Sequence, residues 1–206
     1  MFFTFPSNSI HFQFSRFIPG DPNIVYQGAA APIDGKVDFN INKDYSCQVG
    51  RAIYAKRVLL WDSKTGQLPN FTTHFTFIID TPNQNHTPGD GFSFFFGPFG
   101  IDIPPNSSSA LLGLFNATTL NSTDNHIVHV EFDSFSNSER GEMGQHVGIN
   151  ENSIYSSIWT PWNALLHSKD TAEDFLLQQV PLEKSTSFYR GNSAQIWIKV
   201  MMMMIH

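Results

Sequence analysis

Val128-His129-Val130-Glu131-Phe132-Asp133 places apolar and polar side chains at alternate positions. Successive Cβ atoms of a strand point to opposite sides of the pleat, so this rhythm predicts a strand with one buried face. The same pattern runs outward. Phe92, Phe94 and Phe96 share one face, with Ser93 on the other. Phe75, Phe77 and Ile79 alternate with His74 and Thr76 on a stretch ending at Asp80, and Phe12 and Phe14 alternate with His11 and Gln13. Between these stretches stand chain breakers: Pro19-Gly20-Asp21-Pro22, Asp34-Gly35, Lys64-Thr65-Gly66, Thr87-Pro88-Gly89 and Pro104-Pro105-Asn106. Short alternating strands separated by such turns read as an antiparallel sandwich or barrel. No repeat and no linker divides the chain, so residues 1–206 are expected to form a single all-β domain.

Composition agrees with that reading and excludes several functions. Hydrophobic residues make up 41% of the 206 and charged residues 15%, enough to build a packed core. Phenylalanine, at 20 residues against 12 Lys+Arg, biases the chain towards sheet. The formal net charge of -6, without any basic cluster, argues against nucleic acid and against a membrane surface. No apolar run approaches the ~20 residues needed to cross a bilayer. Cys47 is the single cysteine, so no intrachain disulfide forms, and it reads as a small half-buried hydrophobe. Five N-x-S/T sequons, at Asn70, Asn85, Asn106, Asn116 and Asn121, together point to the secretory route and N-glycosylation. Met1 to Pro6 is too short for a signal peptide, so export is inferred from the sequons alone.

The chemistry concentrates where the reading began. Alternation puts Glu131 and Asp133 on one face, about 7 Å apart along the strand. Two carboxylates so placed serve as a glycosidase pair, as ligands of a hard cation, or as plain surface charge. Jelly-roll glucanases follow E-x-D with a second Glu two or three residues on, which completes the acid/base pair. Here those positions are Phe135 and Ser136, so the hydrolytic option loses its partner and no enzyme is expected. The cation option gains support. The Phe135 carbonyl and the Asn137 side chain are hard oxygen donors suited to Ca²⁺, and Glu131, Asp133 and His146 form a mixed set suited to Mn²⁺. Asp90, taken alone after Pro88-Gly89, reads as a turn residue.

The chain resembles the legume lectins and the lectin ectodomains of plant receptor-like kinases. The likeness rests on ordered stretches over about residues 10–165, with a further matched strand at about 191–200. They are Asp21-Pro-Asn-Ile-Val-Tyr-Gln-Gly28, Gly50-Arg-Ala-Ile-Tyr-Ala55, Leu60-Trp-Asp-Ser63, Phe71-Thr-Thr-His-Phe75 and Gly89-Asp-Gly-Phe92. Beyond these come Leu112-Gly-Leu-Phe-Asn116, Val130-Glu-Phe-Asp133 and His146-Val-Gly-Ile-Asn150. The resemblance implies a jelly-roll sandwich, a flat back sheet on a curved front sheet, that binds a monosaccharide or glycan end without catalysis. It implies roles at matching positions: Asp90 accepts from two sugar hydroxyls and follows a cis peptide at Gly89. Asn137 holds calcium and donates to the sugar, Phe135 stacks on it, and Ala110, standing where the family has glycine, offers its backbone N–H. It implies Ca²⁺ and Mn²⁺ as cofactors, glycoprotein glycans as partners, and a secreted, vacuolar or cell-surface location. The family dimerises through its back sheet, so a homodimer is compatible with the resemblance.

Two departures temper it. The family's further metal-bridging aspartate falls at Gly141, and Glu142, one position late and one methylene longer, is the nearest substitute. The alternative that follows is a lectin-like interaction domain that binds neither metal nor sugar. The C-terminal third is the second departure. Thr171 to Leu177 is mildly helical, Ala194 to Val200 reads as a strand, and Met201 to His206 is expected to be a non-native tail without a folded role. The family's later strands and its last specificity loop have no counterpart in the matched stretches.

Overall fold

The computed structural model describes residues 11–41, 48–59, 73, 75–79, 89–135, 144–164, 166, 171–172 and 195–205. Among these residues the regular elements are strands and two short 3₁₀ turns, at Ser109–Leu111 and Thr123–Asn125. The strands are β1 (Ile24–Gly28), β2 (Ala31–Ile33), β3 (Lys36–Asp38), β4 (Gly50–Tyr54), β5 (Val58–Leu59) and β6 (Phe77–Ile78). They continue with β7 (Gly89–Pro98), β8 (Val128–Asp133), β9 (His146–Glu151), β10 (Ile158–Pro161), β11 (Thr171–Ala172) and β12 (Gln195–Ile205). An eight-stranded antiparallel sheet runs β1-β4-β12-β7-β8-β9-β10, with β5 also pairing β12. β2 pairs β3, and β6 pairs β11, in two small ribbons.

Register gives each face of the large sheet its own character. Phe92, Phe94 and Phe96 on β7 oppose Phe132, Val130 and Val128 on β8, and Phe132 and Val130 oppose Val147 and Ile149 on β9. These residues form the main core, closed from above by Phe12, Phe14, Phe75, Phe77, Ile79 and Trp162. The rings interlock: Phe92 and Phe132 stack at 4.3 Å, and Phe77 lies 4.2 Å from Phe92 and 5.0 Å from Phe132. Aromatic contacts of this kind add to the burial of their area.

The opposite face carries the alternate residues, and it too is covered. Phe95 packs with Leu112, Leu114, Phe115 and Ile127 from the excursion between β7 and β8. Beside them His129 is almost fully buried, with Nδ1 3.1 Å from Ser93 Oγ and Nε2 3.0 Å from the Ser153 carbonyl. A carbonyl only accepts, so Nε2 holds the proton and Nδ1 accepts from the Ser93 hydroxyl. Burial keeps His129 neutral by lowering its pKa below 6.5, against the pull of Glu131 and the Ser153 carbonyl. Arg51 on β4 is also fully buried on this face. It donates to the carbonyls of Gly113 and, at 3.3 Å, Ile101, with its guanidinium 5.6 Å from the Phe95 ring centre.

Three local expectations give way. Residues 11–14 alternate between exposed and half-buried yet form no strand, and Phe12 instead stacks on Tyr54 at 4.0 Å. Thr171–Ala172 pairs antiparallel with β6, where the residues suggested helix. Local propensity is a weak prior that a long-range ladder overrides. Met201 to Ile205, expected to have no folded role, continues β12 alongside β7, from Met201 opposite Ser93 to Ile205 opposite Gly89. A ladder is made of backbone N–H and C=O groups, so a methionine run joins it as well as any apolar sequence.

Candidate functional site

The start of β7 and the end of β8 meet at one end of the sheet. Gly91 opposes Asp133, and one step further the Ser134 N–H donates to the Asp90 carbonyl at 2.9 Å. Asp90 is thereby held beside Asp133, Ser134 and Phe135, although more than forty positions separate them in the chain. The Gly89–Asp90 peptide is cis, as the resemblance implied. The ring of Phe135 lies over Gly89 so closely that an added Cβ would sit 3.2 Å from Cδ2 and 3.3 Å from Phe135 Cβ. Gly91, at φ +149°, has its Cα against the Phe132 carbonyl and leaves no room for a side chain. Close approach and positive φ therefore require glycine at position 91, while a side chain at position 89 would push the Phe135 ring aside by a few tenths of an ångström. Asp90 itself is largely buried and Phe135 half-buried.

The Phe135 backbone is fixed in turn. Its N–H donates to Asp133 Oδ1 at 2.7 Å, and the Ser134 carbonyl accepts from Gln145 Nε2 at 2.7 Å. Gln145 also accepts from Ala164 N–H at 3.1 Å, tying this end to the segment after β10. Ala110 lies in the Ser109–Leu111 turn, which packs against β7. That turn is closed by Leu112 N–H on the Ser109 carbonyl and Gly113 N–H on the Ser107 carbonyl, at 2.9 and 2.6 Å. Ser109 and Leu112 adopt positive φ within it.

Asp133 sits opposite His146, and Glu131 opposite Gly148. His146 Nε2 lies 2.9 Å from Glu131 Oε1, its Nδ1 2.7 Å from the Gly144 carbonyl and 3.7 Å from Asp133 Oδ2. Ser156 donates to the same Glu131 oxygen and lies 3.0 Å from Asn150 Oδ1. Burial would lower the His146 pKa, but the hydrogen bond to Glu131, the Gly144 carbonyl and the two carboxylates raise it to about 9. Burial would raise that of Glu131, yet its bonds from His146, Ser156 and Asn150 and the nearby His129 leave it lowered.

The sign of the pH dependence follows. A raised His146 pKa stabilises fully below 6.5 and loses that contribution as pH rises to about 9. A lowered Glu131 pKa stabilises above 4.5 and is lost on the acid side. With divalent ions removed, urea midpoints are expected to fall between pH 6.5 and about 9, and His146→Gln to flatten that decline. A flat midpoint over this window in the unsubstituted chain would count against the ion pair.

Gly148 is more tightly constrained than Gly89. A Cβ there would collide with Ser156 Oγ and stand 2.8 Å from Ser156 Cβ and 3.0 Å from Glu131 Oε1. Overpacking of this kind costs about 1–3 kcal/mol, so Gly148→Ala is expected to lower the unfolding free energy by that amount. An unchanged urea midpoint would show that the Ser156–Glu131 contact yields freely. Neither Gly148, Ser156, Asn150 nor Gln145 was singled out from sequence, since each acts through a partner on another strand. Gly148 and Asn150 lie within the matched stretch His146-Val-Gly-Ile-Asn150, Gln145 adjoins it, and Ser156 carries no signal of its own.

The donor chemistry fits a hard or borderline divalent ion: two carboxylates, an imidazole and the Phe135 carbonyl. Among the described residues, no group of three or more His, Cys, Asp or Glu is arranged to hold such an ion. Glu131 and Asp133 approach different nitrogens of one ring. Asn137 and Glu142, the other expected ligands, lie outside the described residues, as do Asn70 and Asn85. Of the remaining sequons, Asn106 and Asn121 are exposed and Asn116 is half-buried.

The arrangement has close counterparts. The legume lectin domain model matches residues 9–201. An L-type lectin-domain containing receptor kinase IX.2 of Arabidopsis thaliana is 42% identical over 174 residues, covering 82% of this chain and 26% of its own. Agglutinin-2 of Cladrastis kentukea is 39% identical over 174 residues, covering 81% of this chain and 59% of its own. This chain thus spans about a quarter to three-fifths of the length of these curated relatives. Among solved structures, the lectin UEA-II complexed with galactose superposes at a TM-score of 0.74, with 25% identity over 93% of this chain and 88% of that one. The sequence stretches, the two-faced sheet and these matches agree: the chain belongs to the legume lectin family.

Proposed function

We propose that the chain binds carbohydrate, a monosaccharide or the end of a glycan, reversibly and without catalysis. The observation that carries this is the register that sets Asp90 beside Asp133, Ser134 and Phe135 at one sheet end. A carboxylate next to an aromatic ring is the pairing a sugar asks for, acceptors for hydroxyls and a flat surface for its C–H face. Asp90 accepts from two hydroxyls, Asn137 and the Ala110 backbone N–H donate, and Phe135 stacks. The family membership and the galactose complex of a relative support the same reading.

Glu131, Asp133, the Phe135 carbonyl, Asn137, Glu142 and His146 would hold Ca²⁺ and Mn²⁺. When bound, those ions would fix the loop that presents Phe135 and Asn137. Export along the secretory route, N-glycosylation at the five sequons and glycoprotein glycans as partners complete the proposal. The alternative, an interaction domain without metal or sugar, draws on Glu131 and Asp133 facing different nitrogens of His146. Calorimetric titration with Ca²⁺, Mn²⁺ and simple sugars separates the two. Saturable sugar heats that vanish with chelator support the lectin reading, and silence in every titration supports the alternative.

A further inference from the structure

Arg51 has no place in the site as described, yet it is a fully buried cation at the neck of a loop that belongs to it. The chain leaves β7 at Pro98 and travels out through Asn106 and Ala110 before returning at Gly113. Arg51 spans that neck: one guanidinium nitrogen donates to the Ile101 carbonyl at 3.3 Å, the other to the Gly113 carbonyl on the far side. Its plane is further supported by the Phe95 ring, 5.6 Å away. Among the described residues its Nε has no hydrogen-bond partner. Burial lowers the Arg51 pKa to about 10, against the electrostatic pull of exposed Asp102.

A buried cation satisfied by two carbonyls is a costly way to stabilise a fold, because desolvation offsets much of what the bonds return. What it does supply is geometry. A planar fork with donors at fixed angles sets the separation and orientation of the two carbonyls it bridges. Between those carbonyls the loop holds Asn106, Ser109, Leu112 and Gly113 at positive φ, a conformation that Ser109 and Leu112 do not favour alone. The Gly113 N–H closes on the Ser107 carbonyl at 2.6 Å, so the residue whose carbonyl Arg51 grips is also the one whose N–H shuts the Ser109–Leu111 turn. Gly50, beside Arg51, has no room for a side chain under the Phe39 carbonyl, which fixes the strand from which the arginine reaches.

We propose that Arg51 is a positioning residue for ligand binding: by bridging Ile101 and Gly113 it places the Ala110 N–H for hydrogen bonding to the sugar. This rests on the carbohydrate reading above. The test uses the full chain loaded with Ca²⁺ and Mn²⁺, comparing Arg51→Lys and Arg51→Met with the unsubstituted protein. Lysine keeps the charge but reaches one carbonyl, and methionine keeps the stem alone. Sugar affinity is expected to fall about tenfold or more in both, with Ca²⁺ affinity unchanged. Against a series of deoxy sugars, the loss should disappear for the analogue lacking the hydroxyl that the Ala110 N–H meets. A purely structural role would weaken every analogue alike.

If the unsubstituted chain binds sugar and both variants bind it equally well, the role assigned to Arg51 is wrong while the carbohydrate reading stands. A uniform loss across the deoxy series, loss of Ca²⁺ affinity in step, or failure of both variants to fold overturns it in favour of scaffolding. An unsubstituted chain silent towards every sugar removes the carbohydrate reading and this inference with it.

Discussion

An Asp90→Asn chain is expected to keep its fold and the Ca²⁺ affinity of the unsubstituted chain while losing sugar affinity by roughly two to four orders of magnitude. The size follows from the number of bonds at stake. A hydrogen bond to a charged acceptor contributes about 1.5–3 kcal/mol, and Asp90 is assigned two hydroxyls, so about 3–6 kcal/mol is lost. Asparagine fills nearly the same volume and leaves the backbone untouched. The Ser134 N–H therefore still reaches the carbonyl at position 90, as it does now at 2.9 Å. Isothermal titration with simple sugars, paired with Ca²⁺ titration and a circular dichroism spectrum, reads all three quantities. Affinity within about threefold of the unsubstituted chain would place the sugar elsewhere.

Phe132→Ala should cost about 3–5 kcal/mol of unfolding free energy, the largest stability effect expected in the molecule. Phe132 is 3% exposed, stacks on Phe92 at 4.3 Å and touches Phe77 and Trp162 at 5.0 and 6.0 Å. Truncating it leaves a void between the large sheet and the layer above, and the rings that border it cannot all collapse inward. The loss would also reach the site, because Phe132 stands between Glu131 and Asp133 on β8. Urea unfolding measures the first effect. A loss below about 1 kcal/mol would mean the aromatic stack is looser than its geometry implies.

Much of this architecture was legible in the order of residues. Val128 to Asp133 announced a strand with a core face and a polar face, and both faces are where alternation put them. Phe92, Phe94 and Phe96 likewise share the core side of β7. What alternation does not carry is the partner. Ser93 and His129 are thirty-six positions apart, and His129 reads as a surface polar residue until register buries it against Ser153. Arg51 and Gly113 each stand in a stretch that carries the resemblance, but nothing local in either stretch pairs the guanidinium with the Ile101 and Gly113 carbonyls. The cis peptide at Gly89–Asp90 was legible through the resemblance only.

The misreadings share one physical origin. The methionines at 201–204 looked structureless because side-chain pattern was the only guide, whereas pairing with β7 is written in the main chain. Residues 11–14 looked like a strand because Phe12 and Phe14 alternate, yet they serve the core as ring contacts with no ladder beneath them.

The placement of β12 has a consequence for how the chain is born. β1 and β4 pair with each other, and β7 through β10 form a meander of neighbours, so each group is within reach of an emerging chain. They are joined in the described sheet by β12, which is inserted between β4 and β7. A ribosome adds roughly 5–20 residues per second, so the two halves wait for Gln195–Ile205 for seconds with their inner edges open. Open inner edges are templates for stray pairing. Chaperone demand should therefore peak late in synthesis, and nascent chains arrested before residue 195 should be captured more readily than those released after it.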